Sequence, residues 1–259
     1  MTIHPSAIIE DGAQIGADVS IGPFCIVGAK VVLHDRVELK SHVVVTGDTK
    51  VGADTTIFPF CCIGEIPQDV KFKGEAAKLI IGERNRIREH VTMNPGTEGG
   101  GGITSIGDDG FFLAGCHVAH DAHVGDRVTI VNQSAIAGHC VIEDDVIIGG
   151  LCGIHQFVRI GRGAIIGALS MVTNDVIPHG LVVGPRGELD GLNLVGLKRR
   201  GVDRQDITAL RVAFQTLKDG EGSFMDRARR LEADSDSKHV SEMMDFILGE
   251  TIRNFLTPR

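Results

Sequence analysis

The sequence contains no tryptophan and no tyrosine, and phenylalanine, with 11 residues out of 259, supplies all of its aromatic side chains. Basic residues are also in the minority, 26 against 34 acidic ones, which gives a formal net charge of −8. Nucleic-acid binding needs clustered positive charge, and single strands are commonly held by stacking bases on aromatic rings. Both shortages argue against a nucleic-acid-binding protein.

Long hydrophobic runs are missing as well. No stretch of 18 or more consecutive apolar residues occurs, so the sequence predicts no membrane-spanning helix. The first residues, MTIHPSAIIEDGA, do not place a basic segment before a long apolar one, so no secretory signal is expected. A composition of 42% apolar and 23% charged residues argues against disorder. These features predict a folded protein of the cytoplasm.

The strongest pattern that is present is an apolar, almost always aliphatic, residue at every sixth position. It runs from Ile3 to Ile63, resumes from Ile81 to Met93 and continues, offset by one, from Ile106 to Val172. A small residue commonly stands four positions later, and glycine often follows directly. This repeat describes a short strand and a corner, and three repeats make one triangular coil. The sequence therefore predicts a parallel β-helix of about nine or ten coils, whose handedness the spacing leaves open.

The cysteines fit the same pattern. Five of the six fall in the small inward position, where a thiol packs as a compact apolar group: Cys25, Cys61, Cys116, Cys140 and Cys152. Cys62 is the exception. No C-x-x-C pair is present, so neither a disulfide framework nor a zinc ribbon is predicted.

Two segments interrupt the repeat, and loops on a regular scaffold often carry function. Residues 64–80 insert about one coil's length, after which the repeat resumes in phase. Residues 94–105, NPGTEGGGGITS, are rich in glycine but lack the Lys-Ser/Thr pair and the helix of a phosphate-binding loop. We therefore expect 94–105 to be a flexible loop.

After about residue 185 the pattern becomes helical, so we predict a β-helix over 1–185 and a small helical domain over 186–259. Asp203 is suited to cap the first long helix, and Gly220 and Gly222 end it. The apolar face of that helix is predicted to consist of Ile207, Leu210, Val212, Phe214 and Leu217. A second helix is expected from Ser223 to Leu231, and a third apolar stripe runs from Val240 to Phe255.

Five histidines lie within 39 residues of the repeat: His117, His120, His123, His139 and His155. Residues 18 apart stack on one another, so the spacing places His120, Gly138 and Gln156 in one column and Asp121, His139 and Phe157 in the next. A neutral histidine beside a glycine N–H suits a general base next to an oxyanion site. A zinc site and solvated corner residues remain alternatives.

Four motifs together resemble the UDP-N-acetylglucosamine O-acyltransferase family of lipid A biosynthesis: CHVAHDAHVG, GEIPQDVKFKGE, GGLCGIHQFVRIG and NLVGLKRRG. The resemblance covers essentially the whole chain. It implies a left-handed parallel β-helix and a homotrimer with active sites between subunits. It also implies transfer of an (R)-3-hydroxyacyl chain from acyl carrier protein to the glucosamine 3-hydroxyl of UDP-N-acetylglucosamine, without a metal or an organic cofactor.

The resemblance also implies roles for individual residues. His120 corresponds to the general base, Asp121 to a candidate orienting partner and Gly138 to the oxyanion donor. Substrate-binding positions correspond to Gln68, Asp69, Lys71, His117, His139, His155, Gln156, Asn193, Arg199 and Arg200. Ala168 stands where the family sets the length of the acyl chain, with Ile165 beside it. Val195 departs from the acidic residue that some relatives carry.

Three other functions are compatible with parts of the pattern. A zinc hydratase on the same scaffold, similar to the γ-class carbonic anhydrases, would use three of the histidines as ligands. A non-enzymatic β-helix would leave the histidine columns without a role. A relative that acylates an amino group carries an extra N-terminal domain, whereas here the repeats begin at Ile3. A covalent acyl-enzyme is not expected, because no G-x-S-x-G motif is present.

Overall fold

Two-residue parallel strands joined by tight corners make up most of the computed structural model, which describes residues 1–234 and 237–258. The first fourteen strands, β1 to β14, are Thr2–Ile3, Ile8–Ile9, Gln14–Ile15, Ser20–Ile21, Ile26–Val27, Val32–Leu33, Glu38–Leu39, Val44–Val45, Asp48–Val51, Thr56–Ile57, Cys62–Ile63, Lys78–Ile81, Arg86–Ile87 and Thr92–Met93. A short 3₁₀ helix follows at Glu98–Gly100.

The remaining strands, β15 to β28, are Ile103–Ile106, Phe111–Phe112, His117–Val118, His123–Val124, Thr129–Ile130, Ala135–Ile136, Val141–Ile142, Ile147–Ile148, Gly153–Ile154, Arg159–Ile160, Ile165–Ile166, Met171–Val172, Gly180–Val183 and Glu188–Leu192. Three sheets of eleven, nine and eight strands form, because every third strand pairs in parallel. Among the strands of residues 1–234 and 237–258, only the last pair, β27 with β28, is antiparallel.

The pairing register shows the coil directly. Strand β1 pairs with β4 and β17 with β20, so residues 18 apart lie side by side. The inward residue of each strand is buried from Ile21 to Val182, and the five predicted cysteines are buried with them while Cys62 is half-buried. The fold is a left-handed parallel β-helix followed by helices, as predicted.

The first interruption differs from the prediction. Cys62 pairs with Thr92, thirty residues away instead of eighteen, so the loop after β11 adds twelve residues to one coil and does not take the place of a coil. The loop after β14 adds seven, because Thr92 pairs with His117 twenty-five residues on. Both loops leave successive coils of the same scaffold.

In the described part of the chain, four helices follow the β-helix: α1 (Leu194–Arg199), α2 (Arg204–Asp219), α3 (Phe224–Asp234) and α4 (Lys238–Leu248). Asp203 caps α2 as predicted, accepting a hydrogen bond from the Gln205 N–H at 2.8 Å. Val212 was assigned wrongly to the buried face, since it is 61% exposed and Ala213 is buried instead. At 100° per residue, position 213 and not 212 continues the stripe through Ile207 and Leu210.

The third apolar stripe was predicted too long. The last helix ends at Leu248, and the chain then returns to the β-helix, where Phe255 forms a bridge with Asp175. The Arg159 guanidinium meets the fully buried Asp175 carboxylate at 2.8 Å, and the Thr251 hydroxyl donates to the same carboxylate at 2.7 Å. The Thr251 hydroxyl therefore connects an ion pair of the β-helix to the segment that follows α4. Among the described residues, none of the helices has the length and hydrophobicity that crossing a bilayer requires.

Candidate active site

The predicted histidine columns form at one corner of the β-helix. The His139 N–H donates to the carbonyl of His120 at 3.1 Å, and the Phe157 N–H donates to the carbonyl of Gly138 at 3.2 Å. The His139 ring stacks on Phe157 at 4.5 Å and meets the His120 ring edge-on at 5.0 Å. The eighteen-residue coil thus brings these residues together on adjacent levels.

His120 is held in one orientation. Its side chain is 6% exposed, and Nδ1 lies 2.8 Å from Asp121 Oδ2. Since the carboxylate accepts at Nδ1, this hydrogen bond assigns the proton to Nδ1 and leaves Nε2 as the basic nitrogen. The ring packs against Gly138, where an added Cβ would lie 2.6 Å from Cε1 and 2.8 Å from Nε2. Only glycine fits beside this imidazole.

The Asp121 side chain is completely buried, and both of its carboxylate oxygens accept hydrogen bonds. The Thr97 N–H donates to Oδ1 at 2.8 Å, and the Thr97 hydroxyl donates to Oδ2 at 2.6 Å. The Asp121 N–H donates to Thr104 Oγ1 at 2.8 Å. Burial alone would raise the pKa of Asp121, but the hydrogen bonds from Thr97 and His120 outweigh it and lower the pKa. The carboxylate is therefore ionised at neutral pH and orients the imidazole.

The left-handed backbone of Asp121, with φ of 58°, explains how neighbouring residues 120 and 121 face each other. On a regular strand their side chains would point to opposite faces. At the corner both turn to the same side. The sequence spacing alone left this orientation open. Thr104 stands eighteen residues before Ala122, so the spacing places it near residue 121, whereas Thr97 carried no such signal.

A cavity of about 290 Å³ opens beside His120. Five of the predicted site residues line it: Gln68, His117, His120, Gly138 and Gln156. Its remaining wall is small and apolar, from Ala119, Ala135 and Ile154 among others. Within the described part of the chain, the Gly138 N–H donates no hydrogen bond. The cavity therefore combines a basic nitrogen, an available N–H donor and an apolar wall.

His117, on β17, and His139, at the corner, are both neutral at neutral pH. His117 Nδ1 lies 2.8 Å from Thr92 Oγ1, and burial, with the neighbouring His120, lowers the pKa of His117. Burial also lowers the pKa of His139 against the opposing effect of Asp121. Neutral imidazoles can donate to or accept from sugar hydroxyls.

Comparisons with known proteins show which family the chain is similar to. Family models match residues 175–255 as domain 2 of UDP-N-acetylglucosamine O-acyltransferase, and residues 12–47 and 139–174 as bacterial transferase hexapeptide repeats. An acyl-[acyl-carrier-protein]–UDP-N-acetylglucosamine O-acyltransferase of Paracoccus denitrificans is 66% identical over 75% of this chain and 74% of its own length. One from Rhizobium johnstonii is 48% identical over 99% of this chain and 94% of its own.

A crystal structure of UDP-N-acetylglucosamine acyltransferase superposes with a TM-score of 0.96, at 41% identity and complete coverage of both chains. The chain belongs to the UDP-N-acetylglucosamine O-acyltransferase family. The members named above are enzymes, which removes the non-enzymatic scaffold from the alternatives and confirms the resemblance seen in the sequence.

The first inserted loop, residues 64–80, lies next to the corner that holds His120 and His139. Asp69 raises and Lys71 lowers the pKa of His139, so the charges of both reach that imidazole. Asp69 and Lys71 also line a second cavity, of about 460 Å³, together with Thr97 and Glu98 from the glycine-rich segment. The two interrupting loops therefore meet beside the column.

Other predicted residues lie away from the His120 cavity within one chain. His155 Nδ1 accepts a hydrogen bond from Arg253 Nη2 at 2.7 Å, a partner that sequence spacing could not indicate. Asn193 caps α1 by accepting from the Gly196 N–H and donates to the Gly163 carbonyl. Arg200 Nη2 lies 3.3 Å from His179 Nδ1.

Four further residues singled out in the sequence lie elsewhere on the surface of the chain or on a strand. Arg199 and Val195 are exposed on α1. Ala168 is exposed at another corner of the β-helix, and Ile165 lies on β25.

The zinc alternative can be compared with the same geometry. His120, Asp121 and His139 each offer a ligand atom, and these atoms lie within 4.8 Å of one another. Both Asp121 oxygens already accept hydrogen bonds from Thr97, and His120 Nδ1 donates to one of them. A metal at this position would displace the hydrogen bonds that orient His120, so the donor set suits a general base with an orienting carboxylate better than a zinc site.

Proposed function

We propose that the protein transfers an (R)-3-hydroxyacyl chain from acyl carrier protein to the glucosamine 3-hydroxyl of UDP-N-acetylglucosamine, the first step of lipid A biosynthesis, in the cytoplasm. The observation that carries this proposal is the buried His120–Asp121 pair, whose free Nε2 lies against Gly138 in a cavity. The chain's relatives are named for the same donor and acceptor.

In the proposed reaction, His120 Nε2 accepts the proton of the sugar hydroxyl while the hydroxyl oxygen attacks the thioester carbonyl. The Gly138 N–H then donates to the oxyanion of the tetrahedral intermediate. When the carbon–sulfur bond breaks, the imidazolium returns the proton to the leaving thiolate, so the histidine ends neutral. Asp121 stabilises the imidazolium between these two steps through its hydrogen bond to Nδ1.

Direct attack, without an acyl-enzyme, agrees with the state of the cysteines. Burial raises the pKa of Cys116 to about 11 and that of Cys140 to about 12. A thiol is a strong nucleophile only as the thiolate. These two cysteines are therefore packing residues at neutral pH, and the sugar hydroxyl itself is the nucleophile.

The acceptor sugar is expected to lie between the His120 corner and the first inserted loop. Gln68, His117 and Gln156 present hydrogen-bonding groups to the cavity, and His139 lies on the side that faces Asp69 and Lys71. The two neutral histidines suit an uncharged ring with several hydroxyls. The nucleotide diphosphate would need positive charge, which we assign to Arg199 and Arg200, with Asn193 beside them.

A homotrimer would bring those helical-domain residues to the site. Along one corner of the β-helix, four large apolar side chains are each more than half exposed: Phe24, Phe60, Leu151 and Leu169. Exposed apolar side chains in a row are typical of a surface that another subunit covers. We propose that this corner faces second and third copies in a closed ring, and that a neighbour supplies the nucleotide contacts.

The experiment that tests the proposed function is mass spectrometry of the product formed from UDP-N-acetylglucosamine and a ladder of 3-hydroxyacyl carrier proteins. The proposal predicts a mass increase of one hydroxyacyl chain on the acceptor, ester-linked and therefore labile to mild base. No product with any donor, or an amide-linked product from a 3-amino acceptor alone, would contradict it. Chelator-treated protein that keeps full activity would exclude the zinc hydratase.

The trimer is tested separately by light scattering after gel filtration. The proposal predicts the mass of three chains, and Phe60→Glu with Leu151→Glu should shift the protein to smaller species. A monomer of full activity would contradict both the trimer and the shared site.

A further inference from the structure

The glycine-rich segment 94–105 folds over the Asp121 carboxylate, although its composition predicted a flexible loop. We propose that this segment is a clamp and that Thr97 is a positioning residue, which fixes Asp121 and through it the general base His120. The inference rests on the proposed function, since it concerns the orientation of that base. It assigns a role to a threonine that makes no contact with the reacting atoms.

The contacts of Thr97 carry the first step of the argument. One residue serves both carboxylate oxygens, through its N–H to Oδ1 at 2.8 Å and its hydroxyl to Oδ2 at 2.6 Å. Thr97 is itself only 5% exposed. Asp121 Oδ2 also accepts a hydrogen bond from His120 Nδ1. The Thr97 hydroxyl therefore fixes the position of the oxygen to which the imidazole donates. Two hydrogen bonds from a single residue prevent rotation of the carboxylate.

The glycines supply an independent observation. A Cβ at Gly100 would lie 2.0 Å from Asp121 Cγ, and a Cβ at Gly96 would lie 2.7 Å from Asp121 Oδ1. At Gly99, between them, an added Cβ would meet nothing within 4 Å. Glycine at 100 is therefore required by the close approach of the segment to the carboxylate, and glycine at 96 chiefly by the segment's own backbone at Gly102 and Ile103. Flexibility is not what selects glycine at these two positions.

Backbone hydrogen bonds hold the clamp closed. The Gly102 N–H donates to the Thr97 carbonyl at 2.7 Å, and the Gly96 N–H donates to the Lys78 carbonyl at 3.2 Å. On its other side the segment approaches the first inserted loop, where the Glu98 N–H lies 3.5 Å from Glu75 Oε1. The clamp thus lies between the loop that we assign to sugar binding and the catalytic pair.

The experiment compares Thr97→Val with Thr97→Ser. Valine keeps the volume and the N–H but removes the hydroxyl, so kcat should fall about 10- to 100-fold, the range expected for one hydrogen bond to a charged group. The KM for UDP-N-acetylglucosamine should stay within about twofold, because the hydroxyl that is removed bonds to Asp121 and to neither Asp69 nor Lys71. Serine restores the hydroxyl and should recover most of kcat. Thr129→Val, on the outer face of β19, is the matched control and should leave both parameters unchanged.

A second pair tests the clamp without touching its hydrogen-bonding groups. Gly100→Ala should lower kcat by at least about 10-fold, whereas Gly99→Ala should leave it within about twofold. The thermal unfolding temperature and the oligomeric state of each variant are measured to verify that it folds like the wild type. Wild-type kcat in Thr97→Val, failure of serine to restore activity, or equal losses in the two alanine variants would overturn the clamp. If the wild-type protein is active, those results overturn the clamp but leave the proposed function intact. If the wild-type protein forms no product, the proposed function itself is refuted.

Discussion

Replacing Gly138 with alanine tests the geometry of the site with a single methyl group. The new Cβ would lie 2.6 Å from His120 Cε1, whereas ordinary carbon contacts begin at 3.4 Å. The imidazole must therefore move by about 0.8 Å, or the corner must yield by the same amount. A displacement of this size near reacting atoms costs on the order of 100-fold in rate. The backbone N–H at position 138 remains as a donor, so the loss measures the displacement of the base relative to that donor.

Steady-state kinetics of the purified variant provide the measurement. We expect kcat to fall about 100-fold and the KM for the nucleotide sugar to change little, because only the reacting centre is disturbed. Gly191→Ala is the control, since an added Cβ there meets nothing within 4 Å. Both variants should unfold at temperatures close to wild type. A Gly138→Ala enzyme with wild-type kcat would refute the proposed contact between residues 120 and 138.

Three further predictions concern other parts of the molecule. Ala168→Gly should shift the preferred acyl chain longer by about one or two methylenes, and an unchanged preference across a ladder of acyl donors would refute the assignment of Ala168 as the residue that limits chain length. Asp175→Asn leaves the Arg159 charge without its buried partner, so urea denaturation should show a free energy of unfolding lower by about 3 kcal/mol; a change below 1 kcal/mol would contradict this. Burial lowers the pKa of His179 to about 4, below the ordinary value of about 6.5, so the unfolded chain binds the proton first. Stability should therefore decline as the pH falls from 6.5 to 4, by up to about 3 kcal/mol, and His179→Asn should flatten this decline in denaturation curves recorded across that range.

The repeat predicted the scaffold well, because its physical cause is local. An inward position at every sixth residue accepts only apolar or small side chains. Residues such as Ile21, Cys116 and Ile130 therefore indicate the coil from the local sequence alone. The same arithmetic placed His120 beside Gly138, since stacking of equal coils is geometric. Handedness came from the family resemblance alone, because the spacing is the same for either hand.

The features that the sequence did not predict depend on contacts outside the six-residue repeat. Thr97 reaches Asp121 only because a loop of one coil folds over the corner of the next, and nothing in NPGTEGGGGITS indicates that direction. Val212 was placed on the wrong face, since one residue of error rotates a side chain by 100° on a helix. Arg253 contacts His155 across almost a hundred residues through the returning chain end.

The turnover of His120→Ala, compared with wild type in the same acyl-transfer assay, tests the central claim most directly. Removing the imidazole should lower kcat by about 10²- to 10⁴-fold, the contribution usual for a general base, while the oligomer and its thermal stability persist. His123→Ala, whose imidazole meets Ser105 on an exposed face, should retain full activity under the same conditions. If the His120→Ala protein turns over like wild type, no base acts at this corner and the mechanism is wrong.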